Sequence, residues 1–355
     1  MKKYKIQFIL VLVTALIPIA AWANMGIPIE DPVDHYMVFD SDSGIRMVEE
    51  TVSFSFEGDK GLYSSRVDVS YILRNEEKED KIVDMIFMTS YMGEDGSLAV
   101  RSKGEMIETG QAKHLEEMPI NWEASSRMPI VEPLSGEILE NSPSHFEGAV
   151  SKDGPVIWGT RFSVDLPAGK ETTLEVAYDS ESGFYRYQNV INNVCSQIYY
   201  LTPAKFYEGE PKVTLKISFP EEMDMALHSN IPMHSDGGNA YSAELDGLPE
   251  EEWLFSFADR KGLVLGTNDR TLNNGIVLGM LAVIIALSVW IWKKKRRKTM
   301  AICGGVIAVC SLALFRPSYG MAFLLYIAAP IIGIAALVFL AVWVMKRFLA
   351  NKRKL

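Results

Sequence analysis

The stretch Arg66-Val67-Asp68-Val69-Ser70-Tyr71-Ile72-Leu73-Arg74-Asn75 decides the fold. Val67, Val69, Tyr71 and Leu73 fall on one side, while Asp68, Ser70 and Arg74 fall on the other. Side chains of a strand alternate between faces, so this period of two reads as a strand with one face in a core and one in water. Residues 51–56 and 82–88 flank it as further strands. Turn chemistry separates them: Gly58-Asp59-Lys60-Gly61 on one side, the charged residues 75–80 on the other.

The pattern continues downstream. Strands are predicted at 156–166, 171–178, 196–201, 212–219, 240–245 and 253–257. Pro167-Ala168-Gly169-Lys170, Asp236-Gly237-Gly238 and Asp246-Gly247-Leu248-Pro249 supply turns. Many short strands with frequent turns predict a mainly β ectodomain over residues 24–262, a β-sandwich that is either one large unit or two packed ones. Residues 104–155 differ. Pro119, Pro129, Pro133, Pro143 and Pro155 interrupt them, and only 111–117 has a helical pattern. An irregular insert of this length is commonly either functional or disordered, and its Ile120, Trp122, Met128, Ile130, Val131 and Ile138 call for at least partial packing. It is the first place to look for a ligand.

The two ends read as membrane signals. Lys2, Lys3 and Lys5, an apolar run, Pro18 and Ala21-Trp22-Ala23 make residues 1–23 a signal peptide, with Asn24 as the mature start. An uncleaved first membrane helix is the competing reading and gives the same topology. Residues 263–274 are polar enough for a stalk. Apolar runs follow at 275–292, 299–315 and 321–345, each near the length that spans a bilayer. Three transmembrane helices are therefore expected after the β domain. Basic residues collect on the cytoplasmic side. The basic loop 293–298 and the basic tail 346–355 go inside, and 316–320 forms an outer turn. The expectation is a multi-pass cell-membrane protein with a large extracytoplasmic N-terminal domain and a cytoplasmic C-terminus. No Asp, Glu, Lys, Arg or His lies within the three runs, which argues against a pump or ion-coupled transporter. Gly275 and Gly279 form a G-x-x-x-G pair. It packs the helices together or docks a membrane-protein partner.

All 45 acidic residues but only 20 of the 35 basic ones fall within residues 24–270, a balance of −25. Such a surface repels nucleic acid and anionic polymers. Cys303 and Cys310 fall in the second apolar run. Cys195 is alone outside, so the ectodomain has no internal disulfide, and the 247 residues of 24–270 must stabilise themselves by burial. In its aromatic surroundings Cys195 reads as a buried thiol rather than a nucleophile.

Signatures of known chemistry are missing. His35, His114, His145, His228 and His234 form no H-E-x-x-H, and no cysteine joins them at zinc spacing. Asp40, Asp42 and Gly44 begin like a calcium loop, but Ile45 and Thr51 stand where an EF-hand needs Gly and Glu. There is no G-x-S-x-G elbow and no phosphate-binding glycine loop. Carboxylates are abundant, yet nothing singles out a glycosidase pair. Phe184, Tyr185, Tyr187, Tyr199, Tyr200, Phe206 and Tyr207 make either a sandwich core or a sugar-stacking platform. No catalytic, cofactor or metal residue is assigned, and no cofactor is implied.

Tyr71-Ile72-Leu73-Arg74-Asn75, a charged turn, then Ile86-Phe87-Met88 resembles the opening of the vault-protein inter-alpha-trypsin β-sandwich. The chain is also similar to bacterial signal-peptide-bearing membrane proteins, through Asn24-Met25-Gly26-Ile27-Pro28 and through Tyr199, Leu201, Pro203 and Ala204. Met88 departs from the pattern, where proline is commoner. The resemblance implies a β-sandwich and brings no catalytic residues. The functional expectation is a membrane-anchored, bacterial cell-surface binding or accessory module without catalysis. The alternative is a membrane-tethered hydrolase of envelope polymers, which predicts acidic residues in a cleft near 104–155.

Overall fold

A computed structural model describes residues 25–30, 37–57, 64–89, 98–114, 119–122, 130–139, 150–151, 154–155, 157–185, 189–292 and 314–316. The described residues fall into two compact units. One lies within Met1–Tyr185 and Asn193–Lys261, the other within Arg186–Asn192 and Gly262–Leu355.

The first unit is built around three larger sheets, beside three two-stranded ones at Pro28–Glu30 with Met37–Phe39, Ile130–Val131 with Ile138–Leu139 and Val150–Ser151 with Gly154–Pro155. The strands of the larger sheets are β1 (Ile45–Ser55), β2 (Ser64–Asn75), β3 (Lys81–Thr89), β4 (Ala99–Ser102), β5 (Glu105–Ile107), β6 (Lys113–His114), β7 (Trp158–Leu166), β8 (Glu171–Glu181), β9 (Gly183–Tyr185), β10 (Val194–Tyr199), β11 (Lys212–Ser218), β12 (Met225–Ser229), β13 (His234–Gly237), β14 (Ala240–Leu245) and β15 (Trp253–Asp259). Eight of them form one sheet in the order β13-β14-β11-β1-β2-β8-β4-β5. Within it only β11 and β1 run parallel. A three-stranded sheet, β3-β7-β6, and a four-stranded sheet, β9-β10-β15-β12, make the second layer.

Alternation decides which face is buried. Along β2 every second residue from Ser65 to Asn75 is buried, and along β8 Thr172, Leu174, Val176, Tyr178 and Ser180 do the same. The inward faces of all three larger sheets join in one continuous core. Phe54 of β1 meets Tyr199, Trp253 and Phe255 edge-on at 6.4, 5.4 and 5.0 Å, while Phe87 of β3 meets Tyr178 of β8 at 5.6 Å. Edge-to-face ring pairs add about 0.5–1.5 kcal/mol each beyond their buried area. The core thus belongs to one large sandwich.

The second layer is covered in turn. Met37, Phe39, Trp122 and Ile157 pack on Ile86, Met88, Ile198 and Tyr200, which project from the outer side of β3 and from β10 and its continuation. Asn121 ties this cover down: its Nδ2 donates to Phe39 O at 2.9 Å and its Oδ1 accepts from Phe39 N at 2.8 Å. The insert is therefore partly a packed layer. Within it, Ile130–Val131 pairs with Ile138–Leu139, and buried Glu132 accepts the amides of Leu134 and Ser135 at the turn. The helical pattern expected at 111–117 is replaced at Lys113–His114 by a strand paired with Trp158 and Gly159; residues 115–117 lie outside the described set.

In the second unit, α1 (Arg270–Trp292) is the one α-helix among the described residues. The expected β domain followed by three transmembrane helices is corrected accordingly: a mainly β domain with a single helix does not support three. Leu314 and Phe315, placed in the expected second run, are not helical; the rest of the runs 299–315 and 321–345, the segments 1–23, 293–298 and 346–355, and turn residues 317–320 lie outside the described residues. The start of α1 also differs from the expected 275. The Asp269 carboxylate accepts the amides of Thr271 and Leu272 at 2.6 and 3.1 Å, an N-cap that draws the last polar residues of the expected stalk into the helix. Its first turn is further fixed by Arg270, whose Nη2 donates to Val190 O at 2.7 Å, and by Asn274, whose Oδ1 accepts from Arg316 N at 2.9 Å.

Candidate functional site

The outer face of the eight-stranded sheet is polar and open to solvent. Across its centre the register aligns Thr51, Ser70, Glu175 and Arg101 in one row, and Ser53, Asp68, Ala177 and Ala99 in the next. Ser53, Ser70, Ala99 and Ala177 are short, while Arg66, Asp68, Glu175 and Arg101 around them are long and charged. Short side chains inside a charged rim leave a trough of about 330 Å³. That is the small end of the ~300–1,000 Å³ range of ligand pockets. No aromatic ring lines it.

Its charges are held differently. Arg66 is committed, with Nε 3.4 Å from Asp68 and Nη1 3.6 Å from Asp179. Glu175 and Arg101 sit opposite each other in the register of β8 and β4 but form no ion pair. Arg101 makes only a weak contact, from Nε to Met106 Sδ at 3.3 Å. The sequence places these residues on the solvent face but does not mark them as a site. The signal that was present is the run of Ser, Thr and Ala at outward positions of β1, β2, β8 and β4, where solvated strands more often carry long polar side chains.

Two carboxylates are buried elsewhere. Glu252 caps the 3₁₀ helix Thr202–Phe206: it accepts from Leu201 N at 2.8 Å, Thr202 N at 3.3 Å and Thr202 Oγ1 at 2.8 Å. Burial outweighs these donors and pushes its pKa up to about 8. Glu50 lies in the sandwich core, where Tyr199 donates to its Oε1 at 3.1 Å and the Tyr199 and Tyr71 hydroxyls share a 2.9 Å hydrogen bond. Neither carboxylate lines the trough.

The insert roofs a cavity of about 50 Å³ lined by Val131, Ser196, Gln197, His228, Asn230, Leu254, Phe255 and Ser256. It holds no carboxylate, so the acidic cleft that the hydrolase reading places near the insert is not at this cavity. His228 lines it, while His234 lies on the edge strand β13 with Nε2 3.2 Å from Asp236. His35 and His145 are outside the described residues. Among the described residues no group of three His, Cys, Asp or Glu is arranged to hold a metal. Asp40 accepts the amide of Asp42 at 2.9 Å in a local turn. Cys195 is buried, and burial pushes its thiol up to about 12, away from the reactive thiolate. Tyr199 and Tyr207 enter the sandwich core, and Tyr200 and Phe206 pack under the insert. Gly275 and Gly279 are exposed on α1, and a Cβ added at either would meet nothing within 4 Å.

No protein-family model matches the chain, and no curated protein does. Its backbone shows similarity to a Legionella pneumophila protein named for nutrient binding, with TM-score 0.38, 10% identity, and 66% of this chain and 72% of that one covered. Yeast leukotriene A4 hydrolase in complex with bestatin gives 0.36 and 8%, covering 61% of this chain and 30% of that one. The M1 zinc metallopeptidase of Deinococcus radiodurans gives 0.31 and 8%, covering 60% and 42%. The chain spans less than half the length of either enzyme.

Proposed function

We propose that this chain is a non-catalytic binding module held at a membrane, and that the trough on the eight-stranded sheet receives its ligand. The trough itself carries the reading. The outer face of the second layer is covered by Met37, Phe39, Trp122 and Ile157, whereas the large sheet leaves its outer face open, with a small-residue floor and a charged rim. The anchor is α1. Its Leu278, Val283, Ile285, Leu287 and Trp290 are exposed, and apolar side chains on so much of a helix call for cover, which a bilayer would supply. Exposed Gly275 and Gly279 on this helix are the surface offered to a membrane-protein partner.

The test uses full-length protein from alkali-washed membranes, which retain spanning helices; recovery only in the wash would remove the anchor. The protein is then heated with separate panels of amino acids, short peptides, sugars and nucleotides. A ligand at 100 times its Kd stabilises by about 2.7 kcal/mol, a midpoint rise of several degrees. At least one panel is expected to raise the midpoint of wild type but not of Ala177→Trp, which fills the trough. Shifts that survive in Ala177→Trp, or no shift at all, would contradict the reading.

A further inference from the structure

The charges of the trough name a ligand class, an inference that rests on the binding role proposed above. Arg66 is neutralised by Asp68 and Asp179, whereas Glu175 and Arg101 are adjacent, opposite in sign and uncommitted to each other. Two opposite charges facing one another on a sheet usually pair. Left apart, they offer an anion and a cation side by side on one wall of a small cavity. The short members of the two rows, Ser53, Ser70, Ala99 and Ala177, form the floor, which adds hydroxyls and bulk-free surface but no ring for stacking.

We propose that the trough binds a zwitterion of amino-acid to short-peptide size, its ammonium on Glu175 and its carboxylate on Arg101. The guanidinium suits a carboxylate because its parallel N–H groups match the two oxygens. Glu175 accepts from the ammonium, and the Ser70 hydroxyl beside it in the row is within the same cavity. A sugar satisfies neither charge, and an anionic ligand such as a nucleotide meets Glu175 and Asp68 with like charge.

The test is calorimetric titration of full-length protein in detergent with triglycine, N-acetyl-triglycine and triglycine amide. Triglycine is expected to bind, and blocking either terminus to weaken it at least tenfold. Glu175→Gln should bind the free and acetylated peptides alike, and Arg101→Gln the free and amidated ones alike. Both substitutions are on exposed positions and leave folding intact. Equal binding of all three peptides to wild type, lost in Ala177→Trp, would overturn the zwitterion but leave the trough as the site. Triglycine binding unchanged in Ala177→Trp would overturn both. No triglycine binding would overturn the zwitterion alone if another panel compound still depended on Ala177.

Discussion

Glu252 exposes the chemistry of this fold at the scale of one residue. Its carboxyl is nearly completely buried, and its pKa is raised from 4.5 to about 8. Between these values the unfolded chain has lost the proton that the folded chain keeps. Its contribution to stability is therefore fully present below about 4.5 and is lost as pH rises through about 8. Glu252→Gln removes this titration while keeping an acceptor oxygen for the cap. Melting of the two proteins side by side should show the variant gaining on wild type from pH 5 to 8, by an amount on the order of a few kcal/mol. A constant difference across that range would show that Glu252 is ionised in the fold. Sequence reading does not find this residue, because an acid next to Trp253 at the start of a strand looks like a solvated turn. Glu50 is hidden for a different reason. A bulge between Met47 and Glu49 shifts the parity of β1, so Ile45 and Met47 point inward before it and Glu50, Val52 and Phe54 after it. Cys195, by contrast, was legible: its apolar and aromatic neighbours place it in the core, where it is found.

At the scale of elements, faces govern what a substitution does. Phe54 and Ser70 lie on adjacent strands of the same sheet, one inward and one outward. Phe54→Ala opens a hole among Tyr199, Trp253 and Phe255 and should cost about 3–5 kcal/mol in denaturant unfolding. Ser70→Ala should stay within about 0.5 kcal/mol. Comparable costs at the two positions would invert the assignment of faces. The alternation that makes this forecast possible is visible in the sequence at 66–75, and β2 occupies Ser64–Asn75. The short strands β4, β5 and β13, the last two at the edges of the sheet, were not legible. They are three or four residues long, and β13 is exposed throughout, so pairing rather than apolar patterning holds them. The start of α1 was missed because apolarity marks where a helix can enter lipid, while Asp269 marks where it begins.

At the scale of the whole molecule, the distribution of cover distinguishes the two sides of the sandwich. One outer face is partly covered by the insert, in which Trp122 and Ile130 are buried as their apolar character predicts while Ile120 and Ile138 are exposed. Under the proposed reading, the ligand site lies not on the insert but on the opposite face. The sequence could not indicate this, because the trough draws on strands separated by up to 126 positions, from Thr51 to Ala177, and only sheet order brings them together. The strong negative balance of the β domain sits around a locally mixed site, so long-range attraction and local recognition have different signs, and ligand affinity should vary with salt less than the net charge suggests. The most direct test of the trough uses thiol labels. Cys303 and Cys310 are replaced by alanine, and buried Cys195 remains unreactive. An environment-sensitive fluorophore is placed either at Thr173→Cys, which is exposed beside the trough on the same face as Glu175 without lining it, or at Ile138→Cys, which is exposed on the insert. Titration with triglycine is predicted to give a saturable emission change at position 173 and none at 138. A response at 138 with silence at 173 would return the binding site to the insert and contradict the account.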